Sequence, residues 1–113
     1  MDKETEKQIQ ELQILEQNLQ NILMQKQAFE YELNEAENAL LELNNAEDEV
    51  YKIAGQIMIK SPKKDIQKSL EEKKQLLSLR LKAIDKQEMP LAEKLTKLRE
   101  EVVGKISKNK GKN

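Results

Sequence analysis

The 113-residue chain contains no cysteine, no histidine and no tryptophan, and only three glycines, two prolines and one phenylalanine. Without cysteine there is neither a disulfide framework nor a thiolate metal site. Without histidine the commonest general base and metal ligand is missing, and the thiol nucleophile is missing with the cysteines. Each of the three glycines stands alone, so no glycine-rich phosphate-cradling loop is present. No apolar run approaches the roughly 20 residues of a membrane-spanning helix, and none opens the chain as a signal segment would. Aromatics at 3% and charges at 36% do not furnish an ordinary globular core.

What is present is glutamate, lysine, leucine, glutamine and alanine in regular order, the composition of long helices. Lys and Arg number 20 against 21 Asp and Glu, and the two signs are interleaved except in the last nine residues. A nucleic-acid binder needs a basic excess to meet phosphates, so nucleic acid is not expected as a partner. A soluble, cytoplasmic protein of one domain is expected.

Thr5-Glu6-Lys7-Gln8 has the spacing of a capping box at a helix start. A heptad frame then places Leu12, Leu15, Leu19, Ile22, Lys26, Phe29, Leu33, Ala36, Leu40 and Leu43 at a and d positions. Nine of these ten are apolar, and no Pro or Gly interrupts them. Steps of three and four keep them on one helix face. Asn44, Asn45 and the acidic cluster Glu47, Asp48 and Glu49 mark the end of the first helix.

The pattern then changes to β-branched residues around Gly55, which reads as a short hairpin over residues 49–60. Ser61-Pro62 ends it, with Ser61 suited to cap a second helix and Pro62 to its first turn. Asp65 suits the positive end of that helix, whereas Lys63 and Lys64 do not. The second frame runs through Leu70, Lys74, Leu77, Leu81, Ile84, Glu88, Leu91, Leu95, Leu98 and Val102. Pro90 lies off the stripe and is expected to kink or divide the helix near Lys86. Gly104 and the tail 107–113 are expected to fray.

Two equal stripes flanking Gly55 predict a mostly α fold: a long antiparallel two-helix coiled coil joined by a β-hairpin. The helices span about 5–45 and about 62–106, and each arm is about 55–65 Å long. Folding back at Gly55 brings Leu43 near Leu70 and Leu12 near Val102. It also brings the polar stripe residues Lys26 and Glu88 together, where pairing would fix the register.

Carboxylates on such helices are mostly solvated or paired with lysines four residues away. A thin seam offers no dry pocket for shifting a pKa, so no enzyme, metal or cofactor is expected. The hairpin is the more informative element. An isolated two-stranded ribbon is marginal in water and has two open edges. Val50, Tyr51, Ile53, Ile57, Met58 and Ile59 are therefore the expected assembly surface, closing a sheet between chains. At the other end Ile9, Leu12, Val102, Val103 and Ile106 lie where the helices fray. Weak apolar contacts from several such tips, acting together, would hold apolar segments of other proteins. The Lys-rich tail (Lys105, Lys108, Lys110, Lys112) is read as solubilising.

Several segments resemble the beta class of prefoldin subunits over nearly the whole length. They are Gln25-Lys26-Gln27, Leu33-Asn34-Glu35-Ala36, Ala39-Leu40-Leu41-Glu42-Leu43, Val50-Tyr51-Lys52-Ile53-Ala54-Gly55, Glu71-Glu72-Lys73-Lys74 and Lys86-Gln87-Glu88. The Val-Tyr-Lys hairpin with its glycine is the most specific of them. The resemblance implies a hexamer of two alpha-class and four beta-class chains, with the hairpins forming a β-barrel platform. It further implies a chaperone that holds unfolded client proteins at its tips without ATP and delivers them to a group II chaperonin. The short chain is most similar to archaeal members. The alternative reading is a structural or adaptor coiled coil that dimerises through its helices and needs no two-hairpin partner.

Overall fold

The computed structural model describes residues 2–111, with the side chains of 109–111 excepted. The order is α1 (Lys3–Asn44), β1 (Glu49–Ala54), β2 (Ile57–Pro62) and α2 (Lys63–Gly111). The chain separates into two compact units, each holding a stretch of both helices. One contains residues 1–26 and 83–113, the other residues 27–82 with the hairpin.

The start of α1 differs from expectation. Thr5 lies inside the helix, and its backbone N–H donates to Asp2 Oδ1 at 2.7 Å, so Asp2 is the cap. Thr5, through its hydroxyl and then its N–H, holds the Asp2 carboxyl below the usual carboxylate value. Only the N–H contact has hydrogen-bond geometry; the fully buried Thr5 Oγ1 has no bonded partner among the described residues.

At the other end of α1, Asn45 N–H and Ala46 N–H bond to the carbonyls of Glu42 and Leu43, tightening the last turn. That turn carries no basic residue of its own. Lys63 supplies one from α2, with Nζ donating to the Ala46 carbonyl at 3.0 Å. A lysine badly placed for its own helix dipole is thus well placed for the other.

In the unit of residues 1–26 and 83–113, Leu15, Leu95, Leu98 and Val102 form a buried cluster, with Ile9, Leu12, Leu19, Leu91 and Ile106 packed on it. Gln8 bonds to Glu101 and Glu16 to Arg99, so partner numbers fall along α2 as they rise along α1. The helices of this unit therefore run antiparallel. In the unit of residues 27–82, Ala36, Leu43 and Leu77 are buried, and the Arg80 guanidinium sits 5.7 Å from the Phe29 ring centre.

All ten expected stripe positions of α1 are buried or half-buried. Nine of the ten in α2 are as well; Lys74 alone is exposed. Ser61 does not cap α2. Ser61 and Pro62 both belong to β2, paired with Val50 and Glu49, and the helix opens at Lys63. Pro90 does not divide α2, which continues as one helix on both sides of it. Nor does α2 fray at Gly104. Ile106 packs on the core cluster and Lys105 bonds to Gln8 Oε1 at 2.7 Å, so contacts with α1 carry the helix past the glycine to Gly111. Lys112 and Asn113 lie outside the described residues, as does the environment of the Lys110 side chain.

The hairpin pairs Ala54 with Ile57 and closes through Gly55-Gln56. Of these two turn residues only Gly55 has positive φ, at 62°, the φ signature of a type II′ turn with glycine at its first central position. Gly55→Val is expected to destabilise the hairpin by about 1–2 kcal/mol, because a β-branched side chain meets its own backbone at this φ. Backbone chemical shifts of β1 and β2 report it; unchanged shifts would count against the turn described.

Candidate functional site

Strand pairing sorts the hairpin side chains onto two faces. Tyr51, Ile53 and Met58 share one face with Glu49 and Lys60, whose side chains form an ion pair at 2.7 Å. Val50, Ala54, Ile57 and Ile59 share the other. There Val50, Ala54 and Ser61 are half-buried, while Ile57 and Ile59 stay exposed. The first face is open, with Tyr51 61%, Ile53 72% and Met58 65% exposed. Five of the six residues expected to form an assembly surface are thus large, apolar and exposed, and Val50 is the half-buried exception. Among the described residues β1 and β2 pair only with each other, so each also presents an unpaired edge.

The other expected surface is arranged differently. Ile9, Leu12 and Ile106 are half-buried against the core cluster, and Val102 is 4% exposed within it. Only Val103, at 56%, stands in solvent. The five residues were expected to be partly uncovered by fraying ends; Ile9, Leu12, Ile106 and Val103 are partly or largely uncovered and Val102 is buried, but fraying is not the cause. Both helices continue past them, and polar contacts flank the seam: Lys105 to Gln8 and Glu4, and Gln8 to Glu101. These linking residues were not singled out from the sequence. Their signal is their place beside the a/d stripe, where interhelical polar pairs form.

Lys26 meets two carboxylates of α2, Glu88 at 3.0 Å and Asp85 at 3.1 Å. The pairing with Glu88 was expected; the second arm of the fork was not. The Lys26 and Glu88 side chains are 28% and 26% exposed, so each carries part of its charge into the seam. The hydrogen bond to Glu88, then that to Asp85, holds the Lys26 ammonium above its ordinary lysine value. A raised folded value means that the folded chain holds this proton more tightly than the unfolded one. The contribution is therefore complete below the ordinary lysine value of 10.5 and is lost as pH climbs through the raised one. Lys26→Glu gathers three carboxylates and is expected to lower the melting temperature at neutral pH. The double variant Lys26→Leu/Glu88→Leu should melt no lower than wild type but align its helices less uniquely. A Lys26→Glu melt identical to wild type would show that the fork contributes nothing.

Among the described residues no group of three or more acidic side chains is arranged to hold a metal ion, and no helix is long and apolar enough to cross a membrane. The surface chemistry is that of binding: an open apolar hairpin on one unit and a polar-flanked aliphatic seam in the other.

Comparison with known proteins decides the family. A family model described as "Prefoldin subunit" matches residues 6–109. The chain belongs to the prefoldin family. The prefoldin subunit beta of Archaeoglobus fulgidus is 35% identical over 105 residues, covering 91% of this chain and 90% of that one. That of Pyrobaculum islandicum is 39% identical over 95 residues, covering 82% and 76%. The crystal structure of the prefoldin beta subunit from Thermococcus strain KS-1 superposes with a TM-score of 0.80 at 34% identity, covering 89% of this chain and 90% of that one. The relatives are archaeal beta subunits, in keeping with the class that the hairpin segment resembles. Prefoldins are chaperones rather than enzymes, and two long helices around an antiparallel hairpin are what this prefoldin chain shares with its structural neighbour.

Proposed function

We propose that this chain is the beta-class subunit of an ATP-independent chaperone, built from two alpha-class and four beta-class chains, that binds unfolded polypeptides and passes them to a group II chaperonin in the cytoplasm. The observation that carries the reading is the open hairpin face of Tyr51, Ile53 and Met58 in a chain of this family. Apolar surface at an unpaired strand edge is stable in water only when another chain covers it. Val50, Tyr51, Ile53, Ile57, Met58 and Ile59 therefore join the β-platform, with the alpha-class hairpins as partners.

Client segments bind at Ile9, Leu12, Val102, Val103 and Ile106. Val103 is available as it stands. The other four are reached as the helix ends separate, and the contacts of Lys105 and Gln8 set how readily they do so. Each contact is weak, and several arms closing on one client multiply them.

The test is to purify the chain with an alpha-class partner, measure the mass of the assembly, and follow aggregation of a denatured client without nucleotide. A hexamer that suppresses aggregation is expected. A monomer or simple dimer with no effect on aggregation would overturn the proposal.

A further inference from the structure

The stripe of α2 breaks at one place. Lys74 holds a core position of the heptad frame and is the one member of that stripe left exposed. A charged side chain at such a position weakens a two-helix seam. Beside it lies an open groove of about 560 Å³, within the unit of residues 27–82. Leu40 lines it from α1, and Lys74, Ser78, Leu79 and Lys82 line it from α2, with Glu71 as the carboxylate of the lining. Lys74, Ser78 and Lys82 recur at steps of four and so form one row along the helix. The small Ser78 leaves the middle of the row open, with Leu40 half-buried and Leu79 64% exposed beside it.

Charge around the groove is one-sided. Residues 63–82 hold seven basic side chains and three acidic, whereas residues 27–49 hold eight acidic and no basic one. Among the described residues no ion pair joins the two sets. Lys74 and Lys82 are exposed and take part in none, and Glu71 stands three residues before Lys74 without pairing with it. Two ammonium groups are thus free eight residues apart, about 12 Å along the helix axis, with leucine surface between them.

We propose that this groove binds a short acidic segment of another protein in extended form. A leucine-sized side chain of the segment lies against Leu40 and Leu79, and a carboxylate on either side of it meets Lys74 or Lys82. The spacing follows from strand geometry. An extended chain rises about 3.3 Å per residue, so carboxylates four residues apart span about 13 Å. Side chains two and four residues on point the same way, so both carboxylates and the apolar residue midway face the groove together. The acidic residues of α1 repel the same segment and direct it to α2. A nucleic acid would match the lysines but gain nothing from Leu79, which is why an acidic peptide is the better fit. The groove is complete within one chain and does not depend on the hairpin platform.

The test uses a fluorescent peptide with the core glutamate-serine-leucine-serine-glutamate. It is titrated by anisotropy with the full-length chain, both alone and with an alpha-class partner. Saturable binding is expected in both, weakening as salt is raised. Lys74→Glu/Lys82→Glu should weaken it about tenfold, the effect of two exposed pairs lost and two repulsions gained. Leu79→Ser, or serine for the peptide's leucine, should weaken it about three- to tenfold by uncovering part of a leucine side chain. The altered residues of the chain are exposed, so helix content by circular dichroism should not change. No saturable binding, equal affinity for the peptide without leucine, or charge reversals without effect would overturn the proposal. So would loss of binding when the alpha-class partner is present, or single-stranded RNA that binds more tightly than the peptide and ignores Leu79→Ser.

Discussion

Leu77→Ala is expected to lower the unfolding free energy by about 2–4 kcal/mol, the cost of removing a fully buried leucine and leaving part of the cavity unfilled. Leu77 is 2% exposed, the most buried of the core leucines. Whole-domain stabilities are about 5–15 kcal/mol, so this one truncation takes a large share. A thin helical pair has few layers over which to spread the loss. Denaturant unfolding followed by helical circular dichroism measures it. Leu41→Ala is the control, because Leu41 is 64% exposed and off the stripe, and it should change stability by no more than about 0.5 kcal/mol. Equal midpoints for the two variants would contradict the packing of the seam.

The second large effect falls on assembly. Ile53 is the most exposed large apolar residue of the hairpin, at 72%, so Ile53→Asp removes little from the isolated chain. Helix content should be unchanged. In the assembled platform the same carboxylate would be buried against apolar neighbours, at a cost of several kcal/mol with no partner charge. Light scattering with the alpha-class partner is expected to show the mass falling to that of free chains, with client protection lost alongside. A variant that assembles at wild-type mass would mean that this hairpin face is not the joint. The two variants divide the molecule cleanly, since Leu77 acts within one chain and Ile53 between chains.

Much of this was legible in the order of residues alone. Helix and strand periods differ, so the heptad spacing around Leu15, Leu43, Leu77 and Leu98 and the β-branched run around Gly55 named the elements and their faces. The same spacing brought Lys26 opposite Glu88, because antiparallel arms of equal length have one natural alignment. Gly55 was readable as the turn because few residues other than glycine accept its positive φ.

What only the tertiary structure decided concerns groups whose partners are distant in sequence or sit just outside a local motif. Asp2 rather than Thr5 caps α1. Asp85 joins Glu88 on Lys26. Lys63 closes the end of α1 although its own helix dipole disfavours it there. Val102 and Ile106 were expected at a frayed tip, yet the antiparallel partner supplies enough buried surface and enough polar contacts to carry α2 through Gly104. Periodicity is a property of one helix and can be read along it. Where a helix ends, and which of its apolar residues meet water, depends on what the other helix places beside it.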